Sequence, residues 1–336
     1  MGGDRVQLES RVTPAPLAGE MLLGLRVVGF CGTDLFKLTS GSIEPGTVLG
    51  HEVVGEVISL GAGVKKFSIG DRVAVPHHVP CGKCIYCMRD CSTMCTSFRE
   101  NLLSPGGFAN KILVRSRAAA MSARKIPESV SDDSAVFMEP AACVLRGILK
   151  AGLTNDGTVV IFGSGSMGLL HALVLRAIFS HLSIVILDPK KERLKHACGL
   201  GFNNVARSEL QAKEIIASLN GGIGADAVFD TVGGSNVLNS ALSLSRHGGA
   251  ILLFAHAREG EKSSFVLNEL FKYERRIFGT YSGALIEQEQ IFELLSSGKL
   301  DPTSLITHKL SLYNFEEGVE LVRKQKALKV LFTPTD

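Results

Sequence analysis

The pattern of apolar and polar residues divides the chain into two kinds of segment. Between residues 21 and 115, short apolar runs such as MLLGLRVV, VVGEVISL and KILV are interrupted by Gly, Pro and Asp. Short apolar runs with turn-forming residues between them are typical of β-strands. This part of the chain is therefore predicted to be rich in β-structure.

The pattern becomes helical near residue 129. The segment SVSDDSAVFMEPAACVLRGILKAG has apolar residues at helical spacing, with Ser131 as the N-cap and Gly152 as the stop. From Gly157 onward strands and helices alternate, beginning with TVVIFG, SMGLLHALVLRAIF, SIVILD and PKKERLKHACGLG. Strands that are apolar throughout and separated by helices predict a parallel sheet covered on both faces. The predicted fold class is α/β, with a Rossmann-type doubly wound parallel sheet beside a β-rich domain.

The tail of the chain contains a predicted helix, NFEEGVELVRKQK, and a last strand, KVLFTP. A chain of 336 residues typically forms two domains. We predict one domain from residues 1–146 and 283–336, which joins the tail to the β-rich part, and a second, dinucleotide-binding domain from residues 147–282.

Charge and hydropathy exclude some partners. The net charge of +3 is too near neutral to favour nucleic acid or anionic lipid. No apolar run reaches the roughly 18 residues that span a bilayer, and the start MGGDRVQLES has no basic-then-apolar leader. We therefore expect a cytoplasmic protein without a membrane or nucleic-acid partner. In a reducing cytosol, clustered cysteines indicate a metal site or catalysis rather than disulfides.

A glycine-rich loop, GSGSMG, follows the strand TVVIF and opens the next helix. In this position Gly163 permits a tight turn, Gly165 allows close approach of a pyrophosphate, and Gly168 allows the helix to pack on the strand. Asp188 ends the next strand, 20 residues after Gly168, where a carboxylate can bind ribose hydroxyls and repel a 2′-phosphate. We predict that NAD is bound in preference to NADP. The residues assigned to the cofactor are Gly163, Gly165, Ser166, Met167, Gly168, Asp188 and Arg193.

A run of five cysteines lies in PCGKCIYCMRDCSTMC, at positions 81, 84, 87, 91 and 95. Four thiolates from one short loop form a closed tetrahedral shell, which suits a structural zinc ion that has no open position for substrate. An iron–sulfur cluster also takes four cysteines and remains the chemical alternative. The predicted ligands are Cys81, Cys84, Cys87 and Cys95, and Cys91 is left without a role.

A second candidate metal group consists of Cys31, His51, Glu52 and Glu139. No spacing rule links residues so far apart, but Cys, His and a carboxylate together make an open zinc shell with one place for water or an alcohol oxygen. The segment GHEVVGEVISLGAGV around His51 resembles the zinc signature of the medium-chain alcohol dehydrogenases. CGTDLFKLTSG, CGKCIYCMRDCSTMC, GGFANKILV, MEPAACV and GSGSMG also resemble segments of that family, in the same order.

The resemblance covers nearly the whole chain and is closest to the polyol branch, which includes sorbitol and threonine dehydrogenases. It implies a GroES-like β-rich catalytic domain over residues 1–146 and 283–336. It also implies that Cys31 and His51 hold a catalytic zinc ion, that Glu52 is a ligand or a close neighbour, and that Glu139 is a ligand directly or through water. Thr33 would take the proton from the alcohol, and a homodimer or homotetramer is expected.

Two departures from the family pattern bear on the site. Many family members have His where this chain has Phe36, so the proton must leave by another route. The glycine common after Arg in the cysteine lobe is here Asp90, and the lobe turn is expected to differ.

The sequence thus predicts a zinc-dependent oxidoreductase that reversibly oxidises a secondary alcohol, polyol or cyclitol to a ketone, with hydride transfer to NAD. The reacting groups are expected in the cleft between the domains. An alternative is a non-catalytic or regulatory NAD-binding protein that kept the fold. Retention of Cys31, His51 and both glutamates argues against it. The sequence leaves the particular alcohol open.

Overall fold

The computed structural model describes residues 6–40, 43–257 and 260–335. The β-strands of this part of the chain are, in order, β1 Met21–Gly29, β2 Glu52–Leu60, β3 Arg72–Pro76, β4 Leu103–Ser104, β5 Lys111–Val114, β6 Arg124–Lys125, β7 Asp156–Phe162, β8 His181–Leu187, β9 Val205–Ala206, β10 Ala225–Asp230, β11 Ser245–Leu253, β12 Arg276–Gly279, β13 Ile306–Ser311 and β14 Lys329–Thr333. The α-helices are α1 Gly32–Ser40, α2 Ile85–Met88, α3 Ser116–Met121, α4 Asp132–Ala135, α5 Met138–Ala151, α6 Ser166–Ile178, α7 Lys191–Gly199, α8 Glu209–Asn220, α9 Ser235–Leu244, α10 Asn268–Phe271, α11 Leu285–Ser296 and α12 Phe315–Arg323.

The chain divides into two compact units. The first consists of Met1–Ala142 and Gly283–Asp336, and the second of Cys143–Ser282. The sequence placed the boundaries after residues 146 and 282. The assignment of catalysis to the first segment pair and of cofactor binding to the other stays a prediction.

The first unit is built on an eight-stranded sheet with the path β13-β14-β1-β2-β3-β6, to which β5 and β4 are added beside β1. β1 is the centre of this sheet, because it pairs antiparallel with β2, β5 and β14. Its residues are almost all buried, as expected for a strand with neighbours on both sides and a covered face.

The end of the chain completes the sheet of the first unit. β14 pairs with β1, and β13 lies parallel to β14. Four phenylalanines join this segment to the β-rich part: Phe30 and Phe108 pack with Phe315 and Phe332, with ring centroids 4.7–6.3 Å apart. Such aromatic clusters contribute large apolar areas to a core, so the tail is held by burial as well as by strand pairing.

The predicted helix near residue 131 is two helices in the structure. Ser131 caps α4 as predicted, since its side chain accepts a hydrogen bond from the Ser134 N–H at 3.1 Å. The second helix, α5, begins only at Met138 and ends at Ala151, before Gly152. Pro140 explains the interruption, because proline lacks the N–H that would continue the helical ladder and is tolerated only in a first turn.

The second unit contains a six-stranded sheet of order β12-β11-β10-β7-β8-β9. Every pairing in it is parallel. The predicted α/β fold class, with a Rossmann-type parallel sheet beside a β-rich domain, is confirmed. β7 lies in the interior of the sheet, between β10 and β8, so the loop that follows it opens at the carboxyl edge where parallel α/β sheets bind ligands. Within the three described ranges, no helix is both long and apolar enough to cross a bilayer.

Candidate functional site

Three strand ends of the first unit meet at one place. β1 and β2 pair with Gly29 opposite Glu52, and β1 and β14 pair with Gly29 opposite Leu331. Because both pairings are antiparallel, the end of β1 lies beside the starts of β2 and β14. Cys31 follows β1 after one intervening residue, Phe30, and His51 directly precedes β2. Residues that are 20 positions apart in the sequence are thus brought together by strand pairing.

One donor atom each from Cys31, His51 and Glu52 forms a group in which all atoms lie within 4.8 Å of one another. His51 and Glu52 are buried, and Glu52 is fully inaccessible to solvent. The Oε1 atom of Glu52 has no hydrogen-bond partner among the described residues. A buried carboxylate oxygen without a partner is costly, and a divalent cation beside a thiol and an imidazole would satisfy it. The donor set therefore fits zinc.

Asp34 orients the imidazole of His51. Its buried carboxylate lies with Oδ1 3.3 Å from His51 Nδ1, and Oδ2 accepts the Cys31 N–H at 3.0 Å. The Gly50 N–H also donates to Oδ1, at 3.4 Å. A carboxylate on one ring nitrogen of a histidine leaves the other nitrogen free for a metal and fixes the ring. Asp34 is a functional residue that the sequence reading missed.

The pKa values of this pair show that the site favours positive charge. Burial by itself would raise the pKa of Asp34, but the charge and hydrogen bond of His51 and the Cys31 and Gly50 N–H groups hold it below its usual value. Burial would lower the pKa of His51, yet Asp34 and the Cys31 thiolate raise it well above its usual value. A cation at this position, whether proton or metal, is stabilised by the surrounding negative groups.

Of the remaining predicted site residues, Thr33 lies close to Cys31 in the chain, whereas Glu139 comes from a separate helix. Thr33 is half-buried in the first turn of α1, and its N–H approaches Cys31 Sγ at 3.5 Å. Glu139 is buried in the first turn of α5 and is not part of the three-residue donor group found among the described residues. Phe36, at the position of the usual relay histidine, is 44% exposed.

Two further histidines pack against the candidate metal group. The ring centroid of His77 lies 4.7 Å from that of His51, and the rings of His77 and His78 lie 3.5 Å apart. Burial is the main cause that lowers the pKa of His78 to about 3, and it also lowers the pKa of His77 well below its usual value. The pair is therefore neutral at physiological pH and forms an uncharged wall beside His51.

The four predicted lobe cysteines also come together. Donor atoms of Cys81, Cys84, Cys87 and Cys95 lie within 4.8 Å of one another, and no disulfide joins them. Backbone N–H groups of Lys83 and Cys84 lower the pKa of Cys81 to about 6, whereas burial raises the pKa of Cys87 to about 11. Four adjacent thiols resist joint ionisation unless a cation is present, and this closed donor set fits zinc.

The lobe turn shows how the chain replaces the expected glycine. Asp90 has φ of 55°, the left-handed region that glycine usually supplies and that Asp tolerates better than most residues. The conformation at this position is thus one that glycine would also adopt, although the residue differs. Cys91 is exposed, donates its N–H to Tyr86 O at 2.8 Å, and lies outside the four-cysteine group.

In the second unit the glycine loop joins β7 to α6. Gly163 has φ of 96°, and its N–H donates to Leu187 O at 2.8 Å. A Cβ at Gly168 would overlap Gly163 O, so this position requires glycine. Ser166 and Met167 form the first turn of α6, whose N–H groups have no earlier helical carbonyls to bind. This geometry suits a phosphate-binding helix N-terminus.

Asp188 lies beside the loop with both carboxylate oxygens engaged. Oδ2 accepts the Ser164 N–H at 2.9 Å, Oδ1 accepts the Lys190 N–H at 2.8 Å, and Arg193 Nη1 lies 3.8 Å from Oδ2. The side chain of Arg193 also approaches the place that a Cβ on Gly165 would occupy, at 3.8 Å. The predicted cofactor residues thus form one cluster at the carboxyl edge of the parallel sheet.

Two further residues of the second unit have structural contacts. His171 of α6 is fully buried, with its ring centroid 4.6 Å from that of Phe254. Arg276 donates to Ala151 O at 2.7 Å, a contact at the end of α5. Sequence reasoning also missed Lys329, which is buried against Glu52. The only sign was a single charge at the start of an apolar strand.

Comparison with known proteins shows the family to which this chain belongs. Residues 17–126 match the alcohol dehydrogenase GroES-like domain, and residues 166–297 match the zinc-binding dehydrogenase family. The sorbitol dehydrogenase of Bacillus subtilis is 30% identical over 98% of this chain and 94% of its own length. The chain belongs to the zinc-containing medium-chain alcohol dehydrogenase family, a family of NAD-linked alcohol and polyol dehydrogenases.

Other relatives differ in what their names say they act on. The L-threonine 3-dehydrogenase of Escherichia coli K12 is 28% identical over 95% of this chain and 94% of its own length. A short chain alcohol dehydrogenase from E. coli CFT073, solved with the cofactor NADH, has a TM-score of 0.86 and 27% identity, covering 98% of this chain and 96% of that one. Similarity at this level identifies the family and leaves the substrate open.

Proposed function

We propose that this protein reversibly oxidises a secondary alcohol, polyol or cyclitol to a ketone and transfers the hydride to NAD. The observation that carries the proposal is the group of Cys31, His51 and Glu52, in which one donor atom of each side chain lies within 4.8 Å of the others and Glu52 is buried with Oε1 unpartnered among the described residues. A mixed thiolate, imidazole and carboxylate set is the donor chemistry of an open catalytic zinc site.

The site residues of the first unit have different roles in this reaction. Cys31, His51 and Glu52 hold the zinc ion, and Asp34 fixes the ring of His51 through Nδ1. Thr33 accepts the proton of the alcohol hydroxyl and passes its own hydroxyl proton on to solvent water, and Glu139 is a ligand directly, in exchange with Glu52, or through water. When bound, zinc supplies Lewis acidity at the alcohol oxygen and NAD supplies the hydride acceptor.

The residues of the second unit favour NAD over NADP. Ser166 and Met167 offer N–H groups of the first helical turn to the pyrophosphate, and Gly163, Gly165 and Gly168 leave space for it. Asp188 lies where the adenosine ribose is expected, and its carboxylate would repel a 2′-phosphate. Arg193, whose Nη1 lies 3.8 Å from the place of a Cβ on Gly165, is assigned to the same cofactor site.

The four-cysteine group has a structural part in this proposal. Cys81, Cys84, Cys87 and Cys95 close a shell around a second zinc ion that leaves no place for substrate. We further propose a homodimer or homotetramer, as the family resemblance implies, with a cytoplasmic location.

The test is NAD reduction by the zinc-loaded protein against a panel of polyols, cyclitols, amino alcohols and simple secondary alcohols. NADP serves as the matched control for the role of Asp188. We expect turnover with at least one secondary alcohol and a marked preference for NAD. Absence of turnover across the panel, in protein that carries two zinc ions per chain and binds NADH, would contradict the proposal.

A further inference from the structure

A lysine lies buried beside the candidate catalytic metal group. Lys329 begins β14 and has a side chain only 3% exposed. Its Nζ donates to Glu52 Oε2 and to Phe30 O, the latter at 3.3 Å, and lies 5.6 Å from the centroid of the Phe137 ring. Lysine is almost never buried unless it is paired, and burying such a pair costs desolvation energy on both charges. A fold that accepts this cost at a metal site points to a role for the pair.

The contact divides the two oxygens of Glu52 between different partners. Oε2 is held by Lys329, whereas Oε1 has no hydrogen-bond partner among the described residues and belongs to the side chain that joins Cys31 and His51 in the donor group. The carboxylate therefore offers a single oxygen to a metal.

A glycine makes room for this arrangement. Gly29 lies opposite Glu52 in the pairing of β1 with β2. A Cβ at Gly29 would overlap Glu52 Oε2 and lie 3.0 Å from Lys329 Cε. Three neighbouring strands thus build the ion pair together, with the carboxylate on β2, the ammonium on β14 and the missing side chain on β1.

We propose that Lys329 is a positioning residue that holds Glu52 by Oε2 and weakens its hold on the catalytic metal ion. This inference rests on the proposed function, because the metal site is the one that would carry that function. The thiolate of Cys31 and the carboxylate of Glu52 together offset a divalent cation. The ammonium of Lys329 adds one positive charge, which stabilises negative charge on a substrate oxygen at this site. It also makes it easier for Glu52 to dissociate from the metal ion.

The charge balance predicts whether loss of Lys329 strengthens or weakens metal binding. Without Lys329, the carboxylate of Glu52 is buried without an opposite charge, which is strongly unfavourable. Binding of the metal ion relieves this cost, so loss of Lys329 strengthens metal binding in this site. A lysine that merely supported the fold would have the opposite effect, because a loosened site binds metal less well.

The test is a chelator titration of the zinc-loaded full chain, with zinc per chain as the readout. In Lys329→Met we expect the site of Cys31 to need about tenfold more chelator for release, within the range of coupling between contacting charges. Release from the four-cysteine group in the same molecules is the internal control and stays unchanged. Lys329→Arg keeps the cation and should restore the wild-type titration. Unchanged or easier release from the Cys31 site in Lys329→Met would overturn the proposal.

A second comparison isolates the route through Glu52. We expect Lys329→Met to raise zinc affinity much less in the Glu52→Gln background than in the wild-type background, because Lys329 acts mainly through the carboxylate. Removing both charges together is far less disruptive than removing one, so the double variant folds even where Lys329→Met does not. An equal gain in zinc affinity in both backgrounds would overturn the proposal. The titration needs no turnover, so its failure is distinct from an inactive substrate panel, which contradicts the proposed function alone.

Discussion

The two metal-binding groups of the first unit are built in different ways. The four-cysteine group comes from the 15 residues between Cys81 and Cys95 and contains one kind of donor. The other group takes Cys31, His51 and Glu52 from the ends of two strands and combines three kinds of donor. The first closes a loop on itself, whereas the second depends on the sheet that brings its parts together.

This difference indicates which of the two metal-binding groups can carry catalysis. Four thiolates satisfy a tetrahedral zinc ion and leave nothing to exchange. In the Cys31 group, charged side chains contact the donors themselves: Asp34 lies against His51, and Lys329 of β14 is paired with Glu52. Partners of this kind orient the ligands and tune the metal ion that they hold.

The largest expected effect on stability comes from opening the closed group. Cys95→Ser replaces the buried thiol of this group and should lower the free energy of unfolding by several kcal/mol, because structural zinc contributes directly to folding. Urea unfolding and zinc content measure the effect. Cys91→Ser is the matched control, since Cys91 is exposed and outside the group. Equal stability of the two variants would contradict a structural role for the four-cysteine group.

Acid is expected to release zinc from both metal groups. Acid-induced zinc loss therefore has to be distinguished from acid unfolding that is caused by the titration of a different residue. Burial lowers the pKa of His171 to about 4, below its ordinary 6.5, and its Nε2 has no partner among the described residues. The unfolded chain therefore binds this proton first, and stability that is complete above pH 6.5 is lost as the pH falls to about 4. The loss is about 3 kcal/mol.

His171→Phe removes this titration and keeps an aromatic ring against Phe229 and Phe254. We expect its urea unfolding free energy to depend less on pH between 6.5 and 4 than that of the wild type. Any acid-induced zinc release that remains in this variant then reports on the two metal groups. An identical pH dependence in both proteins would show that His171 is not the cause.

Asp34→Asn should affect the open group and leave the closed one unchanged. Loss of the carboxylate behind His51 is expected to weaken zinc binding there about 10–100-fold, as for other residues that orient metal ligands. Chelator competition followed by zinc analysis measures it. Asp133→Asn makes the same change of charge at a side chain paired with Lys309 and should leave both groups unaffected. Equal zinc affinity in the two variants would show that His51 needs no orienting partner.

The smallest expected effect concerns the turn of the closed group. Asp90→Gly should keep the stability within about 1 kcal/mol of the wild type, because relief at φ of 55° is offset by the greater freedom of glycine in the unfolded chain. Asp90→Val, which disfavours this conformation, should be clearly less stable in the same urea titration. If Asp90→Val were as stable as Asp90→Gly, the left-handed conformation at residue 90 would not be required by the four-cysteine segment.

The features that the sequence predicted are local in the chain. The glycine loop before α6, the spacing of the four cysteines and the Ser131 cap each lie within a few residues, where spacing alone carries geometry. The parallel sheet followed from strands that are apolar throughout. The grouping of Cys31 with His51 and Glu52 needed the family resemblance, because no local rule connects the end of one strand to the start of another.

The supporting charges could not be predicted for the same reason. Lys329 lies 277 positions from Glu52 and meets it only because β14 pairs with β1 beside β2. Asp34 lies in the first turn of α1, where acidic residues are common, so its sequence position gave no sign of a partner at His51. The break before α5 was missed because the apolar periodicity continues through Pro140, while the hydrogen-bond ladder does not.

The turnover of Cys31→Ser tests the central claim most directly. If the open group carries the chemistry, this variant should lose several kcal/mol of transition-state stabilisation, about a thousandfold or more in kcat/KM, with the substrate that the panel identifies. It should still bind NADH in a fluorescence titration and retain the zinc of the four-cysteine group. Turnover near the wild-type level in Cys31→Ser would contradict the account and move the chemistry away from the group formed by Cys31, His51 and Glu52.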